Sequence, residues 1–93
     1  MEITLATRLS PHADVLSRDV DGEVVLLQVT SGLYFSLDAV GTEIWKRIPE
    51  GGISLQELRD QLLTDYDTTA DRVDQDLQAL VAELHEASLV VLS

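Results

Sequence analysis

The sequence has no cysteine, which excludes a disulfide framework, a thiolate metal site and a thiol nucleophile. It has little positive charge. Six lysines and arginines stand against seventeen acidic residues, a formal net charge of −11. Nucleic-acid binding needs cations to neutralise phosphate, so no nucleic-acid partner is expected. Anionic membrane surfaces are disfavoured for the same reason. No apolar run approaches the roughly 20 residues that span a bilayer. The opening MEITLATRLSPHADV lacks the basic start and apolar core of a signal peptide. A soluble, cytoplasmic chain with no membrane partner is expected.

Catalytic arrangements are missing too. The two histidines, His12 and His85, lie far apart, and no Ser/His/Asp constellation surrounds a nucleophile. His85 suits the negative end of a helix dipole. Asp65, Asp67, Thr69, Asp71 and Asp76 fall on positions 1, 3, 5, 7 and 12 of a calcium-loop count. Position 6 is Ala70, where the loop needs glycine to turn. No enzyme activity, no metal and no cofactor are expected.

What is present is 45% hydrophobic content in 93 residues, enough for one small core and one domain over residues 1–93. Residues 1–12 read as a flexible lead-in punctuated by Pro11. Leu16 to Val20 reads as a strand. Asp21-Gly22 is a strong two-residue hairpin signal, pairing Val20 with Glu23, Arg18 with Val25 and Leu16 with Leu27. Val24 to Thr30 is a second strand. Ser31-Gly32 reads as another two-residue turn, pairing Thr30 with Leu33, Gln28 with Phe35 and Leu26 with Leu37. Leu33 to Leu37 is the third strand.

Alternation places Leu16, Val25, Leu27, Val29 and Tyr34 on one face of this meander. Val24, Leu26, Leu33, Phe35 and Leu37 share the other. Both faces are apolar, so something must cover part of each.

Three helices follow. Asp38 caps the first, Ala39 to Ile48, with Val40, Ile44 and Ile48 in one row. Ser54 and Glu57 form a capping box for the second. Thr68 or Thr69 caps the third, which runs to about Ala87 with Val73, Leu77, Leu80, Val81 and Leu84 as its stripe. Leu89 to Leu92 is a last strand or an extended clasp. The expected fold is α+β and winged-helix-like, a three-stranded antiparallel meander followed by three helices.

The third strand is an edge without lysine, proline or an inward charge to blunt it. Either it is covered by the chain's own N-terminal segment or tail, or it accepts a partner. An apolar helix beside an open strand forms a groove that takes an extended peptide as a further strand. The same edge offers a dimer contact.

The run Gly32-Leu33-Tyr34-Phe35-Ser36-Leu37-Asp38-Ala39-Val40-Gly41-Thr42-Glu43-Ile44-Trp45 resembles the PqqD-like family. These are the peptide chaperone of pyrroloquinoline quinone biosynthesis and its relatives, the RiPP precursor peptide recognition elements. Ser54-Leu55-Gln56-Glu57-Leu58, Asp65-Tyr66-Asp67, Val73-Asp74-Gln75-Asp76-Leu77 and Leu84 continue the family's ordered series. The resemblance covers about Leu16 to Val91. It implies a non-catalytic domain that binds a precursor's leader segment between the third strand and the third helix. Leu33, Tyr34, Phe35, Ser36 and Leu37 would supply the strand, and Arg72, Val73, Asp76, Leu77 and Leu80 the helix wall. The partner it implies is a leader peptidase in the lasso-peptide case, or a radical S-adenosylmethionine enzyme in the quinone case. On this reading, proline at Phe35 removes a backbone donor from the site, and Leu77→Asp charges its wall.

Overall fold

The computed structural model describes residues 3–93. Its elements in order are β1 (Arg8–Pro11), β2 (Val15–Val20), β3 (Glu23–Gln28), β4 (Leu33–Ser36), α1 (Ala39–Lys46), β5 (Ile53–Ser54), α2 (Leu55–Asp65), α3 (Ala70–Glu86) and β6 (Val90–Leu92). The expected meander is the sheet β2-β3-β4, and its three helices follow in the expected order. The third strand of the sequence reading is therefore β4.

The first hairpin follows the local chemistry closely. Asp21 (φ 54°) and Gly22 (φ 87°) both take the left-handed region that a primed turn requires. Val20 pairs with Glu23, Arg18 with Val25 and Leu16 with Leu27, as the turn position predicts.

The second hairpin differs by two residues. Gln28 pairs with Leu33, and Leu26 with Phe35, so the connection is the four residues 29–32 rather than Ser31-Gly32 alone. Gln28 explains the longer loop. Its carbonyl accepts from Gly32 N–H at 2.8 Å, and its side chain accepts from Thr30 N–H at 2.9 Å. Thr30 is thereby drawn out of the ladder. A two-residue slip keeps every side chain on its predicted face, because the strand period is two.

The inner face, with Val24, Leu26 and Leu37, is buried under the helices. Leu26, Leu58, Val81 and Leu84 are wholly enclosed, each worth about 1.5–3 kcal/mol of burial. Among the described residues, no helix covers the outer face. Tyr34 is 73% exposed and Leu16 61%.

The N-terminal segment corrects the expectation of a flexible lead-in. Met1 and Glu2 lie outside the described residues. Arg8–Pro11 is the central strand of a second sheet, ordered β5-β1-β6. Leu9 is buried there, and Arg8 and Ser93 exchange backbone bonds at 2.9 Å in both directions. Pro11 sits at the strand end, where its missing donor is tolerated. Gly52, at φ 89°, lets the chain pass this sheet, since a Cβ there would meet Leu9 O at 3.2 Å. The tail is a strand, as one of the two sequence readings had it.

Capping matches the sequence. Asp38 Oδ1 accepts from Gly41 N–H at 2.8 Å, Ser54 Oγ from Glu57 N–H at 3.1 Å, and Thr69 Oγ1 from Arg72 N–H at 3.3 Å. Helix α1 ends at Lys46, two residues before Ile48. Arg47 and Ile48 instead donate three residues back, to Ile44 and Trp45, in a tightened last turn.

The end of α3 carries an instructive cost. Leu89 N–H reaches Leu84 O at 2.8 Å and Ser88 N–H reaches His85 O at 3.1 Å, a Schellman motif. Its left-handed residue is Ser88 (φ 59°) instead of glycine. Ser88→Gly is expected to stabilise the fold by about 0.5–1 kcal/mol, because glycine escapes the left-handed penalty of its Cβ. At about 4–8 °C per kcal/mol for a domain of this size, the melting temperature rises by several degrees. A lower melting temperature would contradict this account of the cap.

Candidate functional site

Strand β4 is hydrogen-bonded to β3 along one side and has no strand partner along the other among the described residues. The two internal segments that might have covered it are engaged elsewhere: the N-terminal strand β1 and the tail β6 pair with each other. An edge left open in this way presents unpaired backbone donors and acceptors.

Register decides which groups those are. Leu37 N–H donates to Val24 O at 2.9 Å, so Leu37 turns its backbone toward β3. Alternation then turns Leu33 and Phe35 the same way, and points the N–H and C=O of Tyr34 and Ser36 at the open side. The end of the ladder is held by α1. Thr42 Oγ1, buried, accepts from Val24 N–H at 3.0 Å and lies 3.5 Å from Leu37 O, to which it donates. The hydroxyl thus fills the ladder position between the two strands and fixes where β4 stops.

The side chains of β4 divide by the same parity. Tyr34 and Ser36 stand on the exposed outer face. Leu33, Phe35 and Leu37 face the helices; Leu37 is buried, Phe35 half-buried against the core, and Leu33 exposed at the far end.

Helix α3 packs most extensively on α2 and β6. Arg72, Asp76 and Leu80 recur at four-residue intervals along α3. Arg72 and Asp76 are exposed, and Leu80 is half-buried.

A cavity of about 350 Å³ lies where α1, α2 and α3 meet. Val40, Ile44, Leu62, Tyr66 and Val73 give it an apolar lining, and Glu43, Arg72 and Asp76 add charge. Tyr66 is placed by Arg47, whose guanidinium sits 5.7 Å from the ring centroid. Arg47 Nη1 also bonds Asp65 Oδ2 at 2.7 Å and Gln61 Oε1 at 3.4 Å. The Asp65 hydrogen bond raises the guanidinium pKa further, so the clamp from α1 to the end of α2 stays charged. A second hollow, of about 380 Å³, lies at the Leu33 end, with Asp14, Gln28 and Glu86 on its walls.

The structure therefore brings Arg72, Val73 and Asp76 together at one cavity, and leaves β4 open. Val73 contributes to that cavity from the core, at 6% exposed. Leu77 does not join them. It is 3% exposed and faces a hollow shared with Ile3, Leu5 and Leu55, so it is a core residue beside α2. Phe35 likewise uses its backbone within the sheet, so proline there breaks the ladder to β3. Both substitutions foreseen from the sequence would damage the fold before they tested a site.

Val40 and Tyr66 line the cavity and were not among the site residues expected from the sequence. Val40 was expected in a core row with Ile44 and Ile48, yet it is 54% exposed at the cavity mouth. Asp38 sets α1 just after β4, and the first turn of that helix emerges past the sheet. Tyr66 carried a signal: an isolated aromatic between two aspartates, at a helix end.

Comparison with known proteins accords with this geometry. The family model described as coenzyme PQQ synthesis protein D (PqqD) matches residues 23–90. No curated protein matches. Among solved structures, TbiB1 in complex with the TbiA(beta) leader peptide is 34% identical, with a TM-score of 0.79 over 87% of this chain and 93% of that one. A lasso peptide synthetase B1 complexed with the leader peptide is 24% identical, with a TM-score of 0.76 over 89% of this chain and 96% of that one. The second likeness is one of fold. The meander, the helix order and a family match across most of the sequence all agree: this chain belongs to the PqqD family.

Proposed function

We propose that this chain binds the leader segment of a ribosomally synthesised precursor peptide and presents it to a modifying enzyme. The leader adds to β4 as a fourth strand, over the groove walled by α3. The observation that carries this reading is the β4 edge, open among the described residues while β1 and β6 pair with each other. Backbone bonds from Tyr34 and Ser36 supply affinity, and pockets for alternate side chains supply specificity. Leu33, Phe35 and Leu37 back the groove on the strand side. Arg72, Asp76 and Leu80 line it on α3. The cavity at Val40, Tyr66 and Val73 takes an apolar leader side chain, with Arg72 and Asp76 available to a charged neighbour.

The chain itself is non-catalytic on this reading. The likeness to TbiB1, solved with a leader peptide bound, supports leader binding; in a lasso-type pathway the recipient would be a leader peptidase. The family description favours a second recipient, a radical S-adenosylmethionine enzyme that works on a quinone-cofactor precursor. A dimer through β4 would compete with the leader, and two copies each carrying −11 oppose it.

Titration of fluorescently labelled leader peptides, taken from short reading frames near the gene, tests the proposal. Saturable one-to-one binding is expected. Methylating one leader amide that faces β4 should weaken it, while methylating the next should not. Binding insensitive to every such methylation would rule out strand addition.

A further inference from the structure

The outer face of the meander is a second exposed surface, distinct from the groove. Leu16, Val20, Val25, Leu27 and Tyr34 share it by strand parity, with Val29 at the hairpin tip. Leu16, Val20, Val29 and Tyr34 are all exposed, and Val25 and Leu27 are partly so. No helix or strand covers this face among the described residues. Exposed apolar patches on one side of a small sheet mark interaction sites more often than accident.

Charge narrows the occupant. Within the strands, this face carries one cation, Arg18, and one acid, Glu23, so it is neutral. The chain as a whole carries −11. Most of the acids therefore lie elsewhere, and this is the face a neutral, apolar protein surface can approach while meeting one strand carboxylate, Glu23, balanced by Arg18. A second copy of the chain must bring another −11 close, which opposes self-association.

Continuity with the β4 edge narrows it further. Residues of an added strand that lie opposite Tyr34 and Ser36 put their side chains on the same face as those two. Every second leader residue at the edge would thus extend the outer face, whichever way the leader runs. A protein seated there touches this chain and the bound leader together.

We infer that the outer face of the meander is the docking surface for the enzyme that modifies the bound precursor, and that the leader completes it. This rests on the leader-binding reading above. Enzyme recruitment is then tightest for the loaded chain, which directs the enzyme away from empty copies.

The test uses the purified full chain, its precursor and the modifying enzyme encoded beside the precursor gene. Leu16 lies on β2, the edge strand opposite β4, so changing it spares the groove. Leu16→Glu is expected to leave leader affinity within about twofold, and to raise the concentration of chain needed for half-maximal modification about tenfold, as loss of one interface anchor does. Leu16→Ser, which removes apolar area without adding charge, should act in the same direction and guards against a folding defect in the first variant. Unloaded chain should bind the enzyme more weakly than loaded chain. Normal modification by both variants, with leader affinity intact, would overturn the docking surface and leave leader binding standing. Loss of self-association in the variants, with modification unchanged, would assign the face to a second copy and also overturn it. A wild-type chain that binds no leader would overturn both readings.

Discussion

Proline at position 36 is expected to weaken leader binding by about fivefold to a hundredfold while the chain stays folded. The Ser36 N–H points to the open side of β4, so its loss costs the sheet no ladder bond. Proline is tolerated on edge strands for that reason. A leader carbonyl left unpaired in the groove costs about 1–3 kcal/mol, which sets the range of the affinity loss. Phe35→Pro, one residue away, should do the opposite. It deletes a bond to β3 and disturbs a half-buried aromatic, so its melting temperature falls first. Thermal melts and leader anisotropy on the two variants separate the effects. Wild-type affinity in Ser36→Pro would show that no strand adds at β4.

The second large effect contrasts Leu77→Asp with Val40→Asp. Leu77 is buried on α3 beside Leu55 of α2 and Ile3 and Leu5, so aspartate there places a carboxylate in an apolar setting. Burying it costs more than about 4 kcal/mol. A domain of this size holds about 5–10 kcal/mol in total, so cooperative melting should be largely lost near physiological temperature. Val40 is exposed at the cavity mouth, so aspartate there leaves the core intact. It should lower leader affinity about tenfold, by putting a charge where an apolar side chain seats. Denaturant titration and leader anisotropy read the two outcomes. A Val40→Asp chain that binds leader normally would remove the cavity from the site.

Much of this fold is written in short-range chemistry. Asp21-Gly22 gives its hairpin and register directly, and Asp38, Ser54 and Thr69 each accept the amide their position predicts. The second hairpin shows where such reading stops. Gly32 takes a positive φ as expected, but the loop length is set by the Gln28 side chain, which is buried and bound to Ser88 O at 2.7 Å. That bond joins residues far apart in the chain and leaves no local mark. Strand β1 was invisible for a similar reason: four residues with a terminal proline show no alternation, and both partner strands come late in the sequence. At the site, the open edge was legible because a run of Leu33 to Leu37 lacks any blunting charge. The helix wall was only half legible. A stripe such as Val73, Leu77, Leu80 and Leu84 shows that α3 is amphipathic, but not which part of it packs on α2 and which lines the cavity beside α1.

The ladder between β1 and β6 has an architectural corollary. The chain reaches β1 through residues 3–7, which pack beside α2 and α3, and its last residue, Ser93, lies bonded to Arg8. Such a unit suits fusion to a host protein through a linker at Ser93, where the chain leaves at the edge strand β6. Grafted so, it would turn diffusional delivery of a substrate into a tethered hand-over, at an effective concentration set by linker length alone.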